Sequence, residues 1–346
     1  LVESCVNAVR SNVFVLFRLP RWIARGRAYV KRELAARGRP DVASLPYRQD
    51  VLEFLRAERG RGRTIVLASA CEDEIGRAVA AELGFFDDVL ASDGRCNLKG
   101  STKLAAIREY CAARGHQGFA YIGDSKADLP VWEAAQQRYA VSPSQPVECR
   151  LRELGPVELV FHESVSLTSA LIAALRPDTW VVNLLVFLPL MLVGGKGTEA
   201  WWNALQAFVS LSCMASAGEV IGGIFSAEAE RRQPRRGLLP FADGQLPLAW
   251  GPPIAVALVA GAGLSAVGLP MIFLVVALLY LVAVACNRAW RASPRAVAPV
   301  TSGAVWAFAV AGGIVALNSA AWLWLAGAGF LVGATLQLAT CPQCTD

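Results

Sequence analysis

The sequence predicts a two-part fold: an amino-terminal α/β domain on a doubly wound parallel sheet, then an all-α, multi-span transmembrane bundle. Three observations carry this prediction. Over 346 residues the hydrophobic share is 55% and the mean hydropathy +0.42, more than a soluble chain usually carries. Most Asp, Glu, Lys and Arg precede position 180, whereas later charges collect in short loops. The first half alternates short apolar runs with helical periodicity, and the second is a series of long apolar runs. The expected divisions are a domain over 1–160, a linker over 161–178, a helical bundle over 179–340 and a tail over 341–346.

In the first part, residues 12–36 are rich in arginine and in apolar residues at helical spacing, and 46–61 reads as a second amphipathic helix with Val51, Leu52, Phe54 and Leu55 on one face. Residues 64–68 are wholly apolar after Thr64 and end at polar Ser69, which is how a buried parallel strand reads. A helix over 72–83, a strand over 86–91, a helix over 101–113 and a strand over 119–122 come next. Strand and helix alternating in this way imply right-handed crossovers, with the ligand site at the carboxyl ends of the strands.

The composition bounds the function classes. The net charge of +5 is mostly arginine and clusters at helix ends in the second half. That placement reports membrane topology, and no pattern for binding nucleic acid accompanies it. The nine cysteines are scattered, and Cys213 and Cys286 lie in apolar runs, so buried free thiols in a reducing compartment are expected. Cys341-Pro-Gln-Cys344 has no second pair or nearby histidines to complete a zinc site.

Chemistry-bearing residues fall at the strand ends. Ser69 follows Ile-Val-Leu-Ala, Lys99 sits in Asn97-Leu-Lys-Gly100 before a helix, and Asp124 and Asp128 lie in Gly-Asp-Ser-Lys-Ala-Asp-Leu-Pro after the third strand. A hydroxyl and an ammonium can hold a phosphoryl group, and paired carboxylates can place Mg²⁺ against it. Taken singly, an Asp after a strand is often a helix cap and Ser69 an ordinary N-cap candidate. In order and spacing the set resembles motifs two to four of the haloacid dehalogenase (HAD) superfamily over residues 1–145. The resemblance implies catalytic roles for Ser69, Lys99, Asp124 and Asp128, with both aspartates as Mg²⁺ ligands. It departs from the family in one respect: no Asp-x-Asp-Gly-Thr segment, which would carry the nucleophile, occurs in the sequence. The opening Leu-Val-Glu-Ser matches a position shortly after such a strand, so a first strand is either upstream or lost. Asp41 and Asp50 lie in polar stretches and do not replace it, which puts phosphatase activity by an aspartyl-phosphate in doubt.

The second part shows apolar runs at 179–195, 204–225, 253–267, 269–286, 302–317 and 321–338, six spans by length. Arg231, Arg232, Arg235 and Arg236 follow the second run, and Arg288, Arg291 and Arg295 the fourth. The positive-inside rule then places the even-numbered loops and the amino-terminal domain in the cytosol, with the bundle in the inner or cell membrane.

Arg176-Pro-Asp-Thr-Trp180-Val-Val-Asn183, the stretch from Gly222 to Pro234 and Pro240-Phe-Ala-Asp-Gly244 together resemble the UbiA superfamily of intramembrane prenyltransferases, closest to its polyprenyl-phosphate phosphoribosyltransferase branch. The resemblance runs from about residue 175 to the end and covers two-thirds of a nine-helix fold. It implies a transferase acting on polyprenyl phosphate or prenyl diphosphate beside membrane lipid, with Mg²⁺. Arg176, Trp180, Asn183, Arg231, Arg232, Arg235 and Arg236 are then substrate-binding, and the arginine run also suits anionic lipid. The family's Asn-Asp-x-x-Asp-x-x-x-Asp metal motif, whose spacing places its ligands on one helical face, matches here as Gly222, Gly223, Ser226 and Glu230, so three of four ligands are replaced. Val182 stands where the opening motif has lysine, and 296–303 lacks the carboxylates of a second motif. Ser226 and Glu230 remain as metal-ligand candidates and Glu219 and Glu230 as catalytic ones. Glu219 lies inside a span, where an ionisable group usually faces a cavity or a partner. Two alternatives stay beside the transferase: a catalytically silent relative that binds lipid phosphates, and a membrane-anchored phosphatase.

Overall fold

A computed structural model describes the chain apart from residues 1, 13, 93–96, 163–165, 194–196, 233–238, 291–296, 317–325, 327–328 and 336–346. It divides into two compact units, Leu1–Ser164 and Val165–Asp346.

The first unit opens with three short helices, α1 (Val2–Ser11), α2 (Val15–Ile23) and α3 (Arg27–Arg37). The periodicity over 12–36 reads as one helix, but Gly26 adopts φ +101°, a left-handed value that side-chain-bearing residues resist, and ends it. Folding back closes a cluster of Ala8, Val15, Trp22, Val30 and Leu34. Then come α4 (Gln49–Gly60), β1 (Val66–Glu72), α5 (Asp73–Leu83), β2 (Asp88–Ser92), α6 (Ser101–Ala113), β3 (Ala120–Gly123), α7 (Leu129–Ala134), β4 (Gln137–Val141), α8 (Gln145–Leu154) and β5 (Leu159–Phe161).

All strand pairs are parallel, but they form two ladders: β1 with β2, and β3-β4-β5 in that order. Among the described residues no ladder joins β1 to β3. Val66, Leu67 and Ala68 of the one and Ala120, Tyr121 and Ile122 of the other instead line a cavity of about 540 Å³. The α/β domain on parallel strands expected from the sequence is thus present, with its described strands in these two ladders. Strand β1 also runs past Ser69 to Glu72, with a register irregularity between Ala68 and Glu72. Such bulges re-aim side chains at the ends of strands. The core beneath β3 and β4 packs Ile107, Val131, Trp132, Val147 and Leu151, and Trp132 Nε1 donates to Tyr139 O at 3.0 Å.

The second unit is all-helical. It comprises α9 (Leu167–Leu175), a 3-10 segment (Pro177–Phe187), α10 (Leu188–Val193), α11 (Thr198–Arg231), α12 (Gly251–Ser265), α13 (Met271–Trp290) and α14 (Val297–Ala316). Among the described residues four stretches are long and apolar enough to cross a membrane: Leu167–Leu192, Thr198–Arg231, Leu248–Ser265 and Met271–Ala289. Ser302–Val315 is apolar but shorter, and most of the expected sixth run lies outside the described residues. The first stretch starts within the expected linker. There Arg176, at φ +49°, breaks the helix before Pro177 without ending the apolar segment. Helix α11 is the hub, its apolar window 72% buried against the other helices. Leu211, Met214, Phe273, Ala277 and Tyr280 form the packed centre.

Candidate functional site

In the first unit, β3 ends at Gly123 and delivers Asp124 and Asp128 to the turn leading into α7. Asp128 is 3% exposed and saturated with donors. Its Oδ1 accepts from Lys103 Nζ at 2.8 Å and from Tyr121 Oη at 2.8 Å, and its Oδ2 from Ser125 Oγ at 3.0 Å. Burial would raise its pKa, but the Lys103, Tyr121 and Ser125 bonds outweigh that and hold it below the usual carboxylate range. Asp124 is exposed by comparison. Crowding around its carboxyl and the neighbouring Asp128 charge push it upward.

The ammonium that meets Asp128 is Lys103, in the first turn of α6, and not Lys99. Lys99 is exposed in the turn before the helix, where its backbone N–H donates to Thr102 Oγ1 at 3.1 Å. Ser69 is half-buried in the bulge and accepts from the Cys71 N–H at 3.2 Å. Among the described residues neither Ser69 nor Lys99 bonds to either aspartate. In the sequence Lys103 and Tyr121 read only as helix and strand residues. The available signal is the four-residue step from Lys99 to Lys103, the spacing of one helical turn, although α6 begins only at Ser101.

In the second unit a cavity of about 490 Å³ is lined by Arg176, Asp178, Glu219, Gly223, Glu230, Phe241 and Arg288, among others. The helix break at Arg176 aims its guanidinium inward: Nη1 lies 3.3 Å from Glu219 Oε2, and Nη2 2.8 Å from Asp178 Oδ2. A non-glycine residue at positive φ is uncommon and tends to mark a functional position. From the last turn of α13, Arg288 bridges the two glutamates of α11, with Nη1 3.5 Å from Glu219 Oε2 and Nη2 2.8 Å from Glu230 Oε1. Ser226 Oγ donates to the same Glu230 oxygen at 2.9 Å. Glu219 and Glu230 are thus buried, paired and in one hollow.

The other expected binding residues that are described make bonds within the helical unit. Trp180 Nε1 donates to Ser216 Oγ at 2.9 Å, and Asn183 Nδ2 to Ser212 Oγ at 3.2 Å, with Tyr280 Oη donating to Asn183 Oδ1 at 2.5 Å. These bonds fasten the 3-10 segment to α11 and α13 beside the cavity. Arg231 Nε donates to Ala242 O at 2.8 Å, which ties down the 240–244 turn that presents Phe241. Arg232 pairs with Glu228 at 2.7 Å on the exposed side. Arg235 and Arg236 lie outside the described residues. Arg288 escapes a reading by sequence because it looks like a loop charge after an apolar run.

Gly222 packs directly against α13. A Cβ there would lie 2.5 Å from Arg288 Cβ and 2.8 Å from Ala285 O. Four residues earlier, Gly218 faces Val284 in the same way, so α11 offers α13 a strip of small residues for close approach.

Residues 8–133 match the haloacid dehalogenase-like hydrolase family, and this part of the chain is an HAD-like domain. The chain is 31% identical over 236 residues to an uncharacterized protein, y4nM, of Sinorhizobium fredii, covering 67% of this chain and 44% of that one. It is 32% identical over 95 residues to the decaprenyl-phosphate phosphoribosyltransferase of Mycobacterium tuberculosis, covering 26% of this chain and 32% of that one. The chain therefore spans less than half the length of these relatives.

HAD-family hydrolases generally use Mg²⁺. The residues present here do not fit it. Asp128 has its lone pairs taken by three side chains, which leaves Asp124 of that pair, and in the helical unit both glutamates are bridged by Arg288. Among the described residues no group of three or more His, Cys, Asp or Glu is placed to hold a metal.

Proposed function

We propose that the protein is an integral membrane transferase acting on a polyprenyl phosphate, with its HAD-like half directed at a phosphate on the product. The observation that carries the reading is the hollow at Glu219, where two arginines from separate elements converge among apolar, membrane-capable helices. Such a pocket offers guanidinium forks to a phosphate and a lipid-compatible wall to its chain. The local likeness to a decaprenyl-phosphate phosphoribosyltransferase supports phosphoribosyl diphosphate as donor. In that reaction a lipid phosphate oxygen forms a bond to C1 of the ribose, the C1–O bond to diphosphate breaks, and diphosphate leaves. The 5-phosphate that remains on the product gives the HAD-like half its target, although no nucleophile in this sequence is assigned to that hydrolysis.

Membranes carrying the protein, incubated with labelled phosphoribosyl diphosphate and a polyprenyl phosphate, are expected to yield a labelled lipid that Arg176→Gln abolishes. Absence of label with and without Mg²⁺ would sink the transferase reading. A second reading, binding of lipid phosphate without turnover, draws support from the complete pairing of Asp128, Glu219 and Glu230. Saturable lipid-phosphate binding without label transfer would favour it.

A further inference from the structure

The geometry around Arg288 points to phosphate recognition without a divalent cation, and we infer that this guanidinium stands where a metal ion would bridge Glu219 and Glu230. The inference rests on the lipid-phosphate reading of the same pocket. Three observations carry it. Arg288 spans the two carboxylates, at 3.5 Å and 2.8 Å, while Ser226 donates to the same Glu230 oxygen. Mg²⁺ takes oxygen ligands at about 2.0–2.1 Å in near-octahedral geometry. It would have to displace Arg288 from both glutamates and leave a fixed positive charge beside itself, away from bulk water.

The second observation is Gly222. The small residue at this position is what lets the stem of Arg288 pass, since a Cβ would meet its Cβ at 2.5 Å and its Cγ at 2.7 Å. A bare position 222 and an arginine at 288 are therefore structurally coupled. The third is a vacant donor. Arg288 Nε is buried with no hydrogen-bond partner among the described residues. A guanidinium has five N–H donors in a rigid fork that matches phosphate oxygens. The glutamates orient the fork, Arg288 lines the cavity, and on this inference an anionic oxygen bound against Arg288 supplies the acceptor that its water-inaccessible Nε lacks. Arg176, held by Glu219 and Asp178, faces the same cavity and provides a second fork. The ligand class is a phosphate monoester, and the apolar helices favour one carried on a lipid.

The test uses the full chain in nanodiscs and titrates farnesyl monophosphate, with farnesol as the control lacking a headgroup. Affinity in EDTA is expected to stay within about twofold of that in millimolar Mg²⁺, and Arg288→Gln and Arg288→Lys to weaken it by about tenfold or more. Farnesol binding should respond to none of these changes. The chelator comparison needs no variant, so it decides even if Arg288 substitutions impair folding. Binding that appears only with Mg²⁺ overturns the arginine assignment and leaves the lipid reading standing. Inorganic phosphate that competes as well as the lipid does the reverse. No saturable binding of farnesyl monophosphate in either buffer overturns both.

Discussion

Asp128, expected from the sequence to hold a metal, is tied into the fold by Lys103, Tyr121 and Ser125. Its carboxylate, Lys103 and the Tyr121 hydroxyl form a closed buried set, so removing one member leaves another charged without compensation. Asp128→Asn is expected to destabilise the chain by about 3–5 kcal/mol, read as a lower thermal midpoint by near-UV circular dichroism. Retention of the parental midpoint would show that the ion pair is not formed. The two aspartates also pull stability in opposite directions with pH. Asp128, depressed in the folded state, contributes stability that is complete above the ordinary carboxylate value and is lost as pH falls through its lowered one. Asp124 is raised, so the stability tied to its protonated form is lost as pH rises from the ordinary value through the raised one. Asp124→Asn should accordingly melt higher than the parent at neutral pH, with the difference vanishing in acid.

Among the elements, the sheet edges and the α11–α13 contact bear directly on the site. Strand β4 is paired on both sides, whereas β1 and β3 each leave one edge on the 540 Å³ cavity. Hydrogen exchange should therefore be slowest at β4 and faster at the β1 amides, because unpaired edges open more readily. Equal protection of β1 and β4 would mean that something occupies the gap. Against α13, Gly222→Ala forces a methyl group into the Arg288 stem and is expected to cost about 1–3 kcal/mol. Gly223→Ala meets only the Phe241 ring, at 3.3 Å, and should be milder in the same thermal melt. The helix over 101–113 and the strands ending near Ser69 and Asp124 are legible in the sequence because apolar runs and caps mark them. Strand β4, which mixes Gln137 and Arg138 with Tyr139-Ala-Val, and three-residue β5 are not, being too polar or too short for a period to show. Arg288 is legible as a charge but not as a site residue, since only the packing of α13 on α11 brings it to Glu219.

At the scale of the whole molecule, an HAD-like domain is joined in one chain to a helical unit with four membrane-capable stretches among its described residues. From the arginine distribution we propose a cytosolic amino-terminal unit. Cys149 is exposed in that unit, so a membrane-impermeant maleimide should label it only after cells are opened. Labelling in intact cells would reverse the proposed orientation. The contact between Gly222 and Arg288 also constrains how such a protein changes over generations. A side chain cannot enter at position 222 while the long cation remains at 288, and removing that cation first takes a counter-charge from Glu230 and leaves Glu219 to Arg176. Single changes at either position are therefore expected to impair the protein, so the two residues can be exchanged only as a pair.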